Sequence, residues 1–199
     1  MPSRPDHDGT TAVAIVASAG GLTAISRVLE ALPDDLDAAV IVVMHLLPEH
    51  RSVLSHLLGR ATGLQVKTAE NGDQIAAGCV YVAPPDVHLI LDSGGRLRLD
   101  TGPPVHYVRP SADVLLGSVA GSCDGNCLAV VLTGSGTDGA AGAKAVKLAG
   151  GHVLVQDPDS SEHGGMPRAA IAAGAADSVV SLGEIAPAIV AYVAEMNPN

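Results

Sequence analysis

Short, fully apolar runs alternate along this chain with longer runs in which apolar residues recur at helical spacing. Residues 12–17, 38–44 and 127–132 are continuous apolar runs of strand length. Strands without polar residues are buried on both faces, and helices between them form the covering layers of a parallel sheet. The sequence therefore predicts an α/β protein, with three α/β/α layers around a doubly wound, mostly parallel sheet.

The segments between these runs give the remaining elements. Ser111 is predicted to cap a helix that ends near Ser122, and Ser181 and Glu184 form a capping box that opens a last helix to about Met196. Apolar spacing predicts further helices over residues 22–32, 52–61, 139–149 and 167–173, and further strands over residues 64–68, 152–156 and 176–180.

The stretch from residue 79 to residue 99 has a different character. It holds three short strand-like runs, at residues 79–83, 88–92 and 96–99, and the Gly94-Gly95 dipeptide separates the last two. A Gly-Gly pair between alternating runs is typical of a β-hairpin. A small antiparallel excursion from the main sheet is predicted here.

Three chemically active side chains follow predicted strands directly. Ser18 follows the first strand and precedes Gly20 and Gly21, His45 follows the second, and Asp138 follows the run that ends at residue 132 after a glycine-rich loop. Ligands of parallel α/β sheets bind outside the carboxyl ends of the strands. Together the three predict a serine nucleophile, a general base and an acid that orients it.

Each of the three also has an ordinary structural interpretation. Ser18 and Asp138 can be helix N-caps or turn residues, and His45 can be a structural hydrogen-bonding group. Their chain order is Ser, His, Asp, and no Gly-x-Ser-x-Gly elbow is present. The ordinary α/β-hydrolase arrangement is therefore not expected, although the three side chains are of the same kinds.

Small residues surround two of these positions. Backbone N–H groups at the start of a helix can bind a developing negative charge. The candidate oxyanion and substrate loops are Ala19, Gly20 and Gly21 on one side and Ser135 and Gly136 on the other.

A competing interpretation comes from Gly134-x-Gly136-x-x-Gly139, which follows a strand, opens a helix and precedes Asp157 by about twenty residues. This spacing fits a dinucleotide-binding fingerprint. It leaves Ser18 and His45 without a role.

Composition narrows the range of partners. Eleven basic against twenty-one acidic residues give a net charge of −10 and disfavour nucleic-acid binding. Cys79, Cys123 and Cys127 are expected to be reduced thiols. Cys123 and Cys127 have the spacing of a pair of zinc ligands but no second pair nearby, so no metal or cofactor is expected. Apolar runs of strand length predict no membrane insertion, and we expect a cytoplasmic monomer.

These residues resemble the catalytic domain of the CheB methylesterase family over nearly all of the chain after residue 10. The resemblance rests on separated blocks in the same order: ASAGG at 17–21, His45-Leu46 with Pro48, YVAPP at 81–85 with His88-Leu89, RPSADVL at 109–115, Thr133-Gly134 with Gly136 and Asp138-Gly139, and Gln156-Asp157 through GMPRAA at 165–170. The family's nucleophile, base and orienting acid fall on Ser18, His45 and Asp138.

The resemblance implies hydrolysis of glutamyl methyl esters on a signalling or receptor-like protein, with glutamine deamidation by the same route. Three positions depart from the family pattern: Val16 stands where glycine is usual, Ala19 where threonine is frequent, and Ser135 where a methionine is thought to assist the oxyanion. A catalytically silent docking module with the same fold is the alternative that these departures leave open.

Residues 1–10 are expected to form a flexible tail and residues 11–199 the methylesterase domain. The family's phosphorylation-receiver domain is not expected within this polypeptide. Control of the activity would then come from another protein.

Overall fold

A computed structural model describes residues 10–45, 53–122 and 124–198. In chain order, its elements are β1 (Thr11–Ala17), α1 (Gly21–Glu30), β2 (Ala38–Met44), α2 (Leu54–Gly59), β3 (Gln65–Thr68), β4 (Cys79–Val82), β5 (His88–Leu91), β6 (Leu97–Asp100), α3 (Ala112–Ser122), β7 (Cys127–Val131), α4 (Ala140–Leu148), β8 (His152–Gln156), α5 (Gly165–Ala172), β9 (Ser178–Val180) and α6 (Leu182–Met196).

Seven of the strands form one sheet in the order β3-β4-β2-β1-β7-β8-β9. Every pairing within this sheet is parallel. The chain adds β2 on one side of β1 and later β7 on the other, so the order reverses at β1. Such a reversal opens a crevice beyond the carboxyl ends of the strands, where α/β proteins bind their ligands. The predicted three-layer, mostly parallel fold is confirmed.

The antiparallel excursion is confirmed for only two of its three predicted strands. β5 and β6 pair antiparallel, with Gly95 at φ 72° in the turn between them. The prediction that residues 79–83 belong to this excursion is wrong, because β4 pairs in parallel with both β2 and β3. β4 is buried on both faces, with Tyr81 packed in one core layer and Val80 and Val82 in the other. That double burial places the strand inside the main sheet.

Each face of the sheet carries its own apolar layer, and the side chains of β1 alternate between the two. Ala12, Ala14 and Val16 pack in the layer under α3, α4 and α5. The residues between them, such as Ile15, pack in the layer under α1, α2 and α6. β1 is completely buried along its length. This burial fixes its register, because a slip of one residue would exchange the two layers.

The other predicted elements agree with the structure to within a few residues at their ends. The capping box of Ser181 and Glu184 is present at the start of α6. The predicted helix over residues 52–61 is α2, and Ser52 lies outside the described residues. Within the described ranges, no helix combines the length and apolar character that crossing a bilayer requires.

One prediction concerns the core. Leu128 on β7 is 1% exposed, whereas Leu148 at the end of α4 is 79% exposed. Leu128→Ala should lower the free energy of unfolding by about 2–5 kcal/mol, because it removes buried methyl groups and leaves a cavity. Urea unfolding curves measure this, with Leu148→Ala as the matched control. Equal effects of the two substitutions would contradict the assigned core.

Candidate active site

Ser18 and His45 occupy the same position at the ends of adjacent strands. The parallel register pairs Ala17 with Met44, so Ser18 and His45 are the next pair along. The His45 N–H donates to Ala17 O at 3.2 Å and continues the ladder by one bond. Neighbouring strands lie about 4.8 Å apart. The register therefore brings the hydroxyl-bearing residue and the imidazole-bearing residue side by side, as the sequence predicts.

Ser18 is held from its other side by β7 and the loop that follows it. Its N–H donates to Thr133 O at 3.0 Å, and the Thr133 hydroxyl donates to Ala19 O at 3.1 Å. The Thr133 N–H in turn donates to the buried Gln156 Oε1 at 2.8 Å. No role for Thr133 or Gln156 is predicted from the sequence. Their contacts fix the turn that carries Ser18.

The structure also brings Asp138 to His45. Asp138 Oδ2 lies 2.8 Å from His45 Nε2, and the two side chains are 4% and 13% exposed. A carboxylate only accepts hydrogen bonds, so the proton of this bond belongs to Nε2. In the neutral imidazole, Nδ1 is then the nitrogen that keeps a lone pair. This assignment leaves one ring nitrogen available to accept a proton.

The Asp138 carboxylate accepts four hydrogen bonds. Oδ1 accepts from the Ser111 hydroxyl at 2.8 Å and from the Asp113 N–H at 3.1 Å. Oδ2 accepts from the Ala112 N–H at 2.6 Å and from His45 Nε2. The two backbone donors belong to the first turn of α3, where N–H groups have no partner within the helix. Burial alone would raise the pKa of Asp138, but these donors outweigh it and hold the pKa below its ordinary value.

Asp138 is a helix cap, although not of the helix that follows it in sequence. Gly139, at φ 96°, is the N-cap residue of α4 and contributes no side-chain bond. Asp138 instead caps α3, and Asp113 of α3 caps α4 by accepting the Gly142 N–H at 2.7 Å. The two helices thus exchange acidic caps. The sequence allowed a capping role for Asp138 but gave no indication of this exchange.

Ser111 has a second role that its sequence position did not reveal. It caps α3 as predicted, with the Val114 N–H 3.4 Å from its oxygen, and it also donates to Asp138. The Ser111 N–H donates to Nδ1 of the buried His88, whose Nε2 donates to Pro103 O. The signal available in the sequence was the RPSADVL block at residues 109–115, which contains three of the groups around Asp138.

The candidate oxyanion groups lie around Ser18, and one of them is already engaged. The Gly21 N–H donates to Ser18 O at 2.8 Å, in a turn that needs Gly20 at φ 75°. For the N–H groups of Ala19, Gly20, Ser135 and Gly136, no acceptor is found among the described residues. Ser135 and Gly136 are exposed. These four groups are the donors left to bind a negative oxygen.

A cation does not fit the acidic cluster next to the site. His106, Asp113 and Asp138 each have a potential ligand atom, and these atoms lie within 4.8 Å of one another. Both Asp138 oxygens, however, already accept two hydrogen bonds each. A metal bound by Asp138 would have to displace donors that fix the carboxylate.

The first glycine of the dinucleotide-like fingerprint, Gly134, is bonded within the protein. The Gly134 N–H donates to His163 O at 2.8 Å, and Gly134 O accepts the Met166 N–H at 2.9 Å. The Asp138 carboxylate of the same loop turns inward to α3. This arrangement does not favour the dinucleotide interpretation, because the Gly134 backbone is bonded within the protein and the carboxylate of the loop is bonded to α3 and His45.

The fold and the site together define an α/β protein with the Ser, His and Asp grouping that is typical of serine hydrolases. The chain matches the family model described as CheB methylesterase over residues 13–189. The chain belongs to the CheB methylesterase family.

Similar proteins agree with this assignment. The protein-glutamate methylesterase FrzG of Myxococcus xanthus is 41% identical over 181 residues, which are 91% of this chain and 54% of that protein. A protein-glutamate methylesterase/protein-glutamine glutaminase of Symbiobacterium thermophilum is 40% identical over 183 residues, 92% of this chain and 51% of that protein. The chain thus spans about half the length of these curated relatives.

A solved structure of a catalytic domain resembles this chain over most of its length. The crystal structure of the Thermotoga maritima CheB methylesterase catalytic domain superposes with a TM-score of 0.87 at 34% sequence identity. The match includes 92% of this chain and 98% of that one. The likeness therefore extends over nearly all of that catalytic domain.

The lowered pKa of Asp138 has a consequence for stability. Because the folded protein favours the carboxylate, this group stabilises the fold fully above its ordinary pKa of 3.8 and loses the effect as the pH falls through the lower folded value. Asp138→Asn should therefore lower the free energy of unfolding at neutral pH, by about 1–3 kcal/mol. The difference in the free energy of unfolding between the variant and the unsubstituted protein should shrink below about pH 4. Urea unfolding at a series of pH values checks this, and a difference that does not change with pH would contradict it.

A second prediction concerns Gly134, which lies against the Ser18 turn. A Cβ added there would lie 2.9 Å from Ser18 Cβ and would overlap Met166 Sδ. Gly134→Ala should destabilise the protein by about 1–3 kcal/mol, because packing at this point has no space for a methyl group. Gly183→Ala in α6 is the control, since nothing lies within 4 Å of its added Cβ. Thermal unfolding of both variants tests the difference, and a neutral Gly134→Ala would show that the Ser18 turn is less tightly packed than described.

Proposed function

We propose that this chain is a protein-glutamate methylesterase, with Ser18 as nucleophile, His45 as general base and acid, and Asp138 as the group that orients His45. The observation that supports this most directly is the 2.8 Å bond from His45 Nε2 to Asp138 Oδ2, on a histidine in register with Ser18. The names of the relatives, which specify methylesterase and glutaminase activities, agree with the proposal.

The acylation step follows from the proton positions. Ser18 Oγ attacks the γ-carbonyl carbon of a glutamyl methyl ester, and the Ser18 proton moves to His45 Nδ1. The carbonyl oxygen becomes an oxyanion, for which the N–H groups of Ala19, Gly20, Ser135 and Gly136 are the proposed donors. The intermediate collapses, the bond to the methoxy group breaks, and His45 returns the proton so that methanol leaves.

Deacylation uses the same groups with water as the nucleophile. Water attacks the Ser18-linked acyl carbon, its proton passes to His45, and collapse breaks the bond to Ser18 Oγ. His45 then returns the proton to Ser18, and a glutamate side chain is released. A glutamine side chain would follow the same path with ammonia as the leaving group. No step requires a cofactor.

Asp138 contributes by keeping the imidazole in one tautomer. Its four donors keep the carboxylate ionised and stationary, so it can stabilise the imidazolium that forms while Ser18 reacts.

The net charge of −10 of the chain disfavours a nucleic-acid substrate, and we propose that the substrate is a methylated signalling or receptor-like protein.

Arg109, which flanks the site, is better explained as a structural residue than as a group that binds this substrate. Arg109 pairs with Asp86 and donates to the carbonyls of Thr101 and Gly102. Arg168 pairs with Asp159 on an exposed surface. Arg109 therefore has its donors engaged within the protein.

The decisive test measures methanol release from a methyl-esterified polypeptide. Ser18→Ala should lower the rate by roughly three to six orders of magnitude, because loss of a triad nucleophile removes the covalent route. Ser26→Ala, the same substitution on α1, is the matched control and should leave the rate unchanged. Unchanged methanol release by Ser18→Ala would refute the assignment.

A serine-directed fluorophosphonate separates the enzyme from the catalytically silent docking module. An active site should give a covalent adduct on Ser18, detected by mass spectrometry of the peptide that contains residues 11–27. An unlabelled Ser18 in a folded protein, together with no methanol release, would favour the docking module.

A further inference from the structure

A tight two-residue turn lies next to the site and has an unusual composition. Val105 and Val108 exchange both backbone hydrogen bonds, at 3.1 and 3.0 Å, so the chain reverses over His106 and Tyr107. Both residues between them have positive φ, 50° and 64°. Reversals of this kind are usually made by Asn-Gly, because a side chain larger than that of Asn or Asp is strained in the left-handed region.

The turn is joined to the predicted triad by hydrogen bonds. His106 Nε2 donates to Asp113 Oδ2 at 3.1 Å, and the Asp113 N–H donates to Asp138 Oδ1 at 3.1 Å. Potential ligand atoms of His106, Asp113 and Asp138 lie within 4.8 Å of one another. The turn therefore lies at the same edge of the sheet as the site, directly beside the acid.

Tyr107 has no part in holding the fold together. Its side chain is fully exposed at the tip of the turn. The chain has three tyrosines and neither Phe nor Trp. The other two are used internally: the Tyr81 hydroxyl donates to Gln74 O, and the Tyr192 hydroxyl donates to Cys127 O. A fully exposed aromatic ring in a strained backbone conformation, in a chain with so few aromatic residues, requires an explanation other than packing.

We propose that Tyr107 is a substrate-contact residue that packs against the polypeptide next to the esterified glutamate. The inference rests on the proposed function, in which the ester belongs to a residue of another protein. The segments that flank such a residue must lie across the rim of the site, and the 105–108 turn is part of that rim. Tyrosine suits this role because it supplies a large rigid contact area and a hydroxyl that can bond to backbone.

The strain of the turn sharpens the test. If Tyr107 served the fold, replacing it would lower the stability of the protein. At φ 64°, however, glycine is less strained than tyrosine, so a protein with glycine there should be more stable. Tyr107→Gly should therefore raise the unfolding temperature and, at the same time, weaken binding of a polypeptide substrate. Opposite changes in stability and in substrate binding identify a contact residue.

The experiment compares two substrates that carry the same ester. One is a synthetic peptide with a single glutamyl γ-methyl ester, and the other is the capped single residue, N-acetyl-glutamate γ-methyl ester N-methylamide. Tyr107→Ala and Tyr107→Gly should lower kcat/KM for the peptide about tenfold, through KM, and leave that for the capped residue unchanged. Tyr107→Phe should retain most of the peptide activity. Leu148→Ala, an exposed apolar residue at the far end of α4, is the control for nonspecific surface effects.

Each other result overturns the proposal. Equal losses of kcat/KM on both substrates would show that Tyr107 helps to organise the site itself. No loss on either substrate would show that its ring does not contact the polypeptide. If the unsubstituted protein cleaves neither substrate and Ser18 takes no fluorophosphonate, the proposed function fails together with this inference. If Ser18→Ala abolishes cleavage while the Tyr107 variants keep full peptide activity, the proposed function stands and only the contact is rejected.

Discussion

The buried carboxylate of Asp138 organises the carboxyl edge of the sheet. A buried charge is tolerated only when hydrogen bonds replace the water it has lost, and four donors surround this one. Two of them come from the start of α3, where the helix dipole also favours a negative group. The same bonds that make the burial possible set the direction from which Asp138 meets His45. The position of α3 and the orientation of the imidazole are therefore consequences of a single electrostatic requirement.

The grouping of Ser18, His45 and Asp138 differs from the familiar serine-protease pattern in two ways. Its members follow one another as Ser, His, Asp, and the acid meets Nε2 of the histidine instead of Nδ1. The second difference follows from the topology. Ser18 lies at the end of the central strand β1, His45 on one side of it and the Asp138 loop on the other. The acid thus reaches the ring from across β1, and that approach determines which ring nitrogen it meets.

Most of the architecture was readable from the sequence, because doubly buried strands have no polar residues and their ends are sharply marked. Residues 38–44 and 152–156 are strands with the predicted bounds. Ser18, His45 and Asp138 could be selected because the carboxyl ends of parallel strands share one edge. It could not be predicted that β4 belongs to the main parallel sheet. The pattern of a four-residue strand is too short to distinguish a strand of that sheet from a strand of the antiparallel hairpin. The bonds from α3 to Asp138 were not predictable, because they depend on a contact between segments twenty-six residues apart.

The exchange of acidic caps between α3 and α4 has a dynamic consequence. If the first turn of α3 frays, Asp138 loses its two backbone donors and Asp113 is no longer held beside Gly142. Fraying of α4 acts in the reverse direction. The amide protons of Ala112, Asp113 and Gly142 are therefore linked to one shared opening event instead of three separate ones. Their exchange with solvent deuterium reports how often the acid comes loose from its position, in a resting protein and without any substrate.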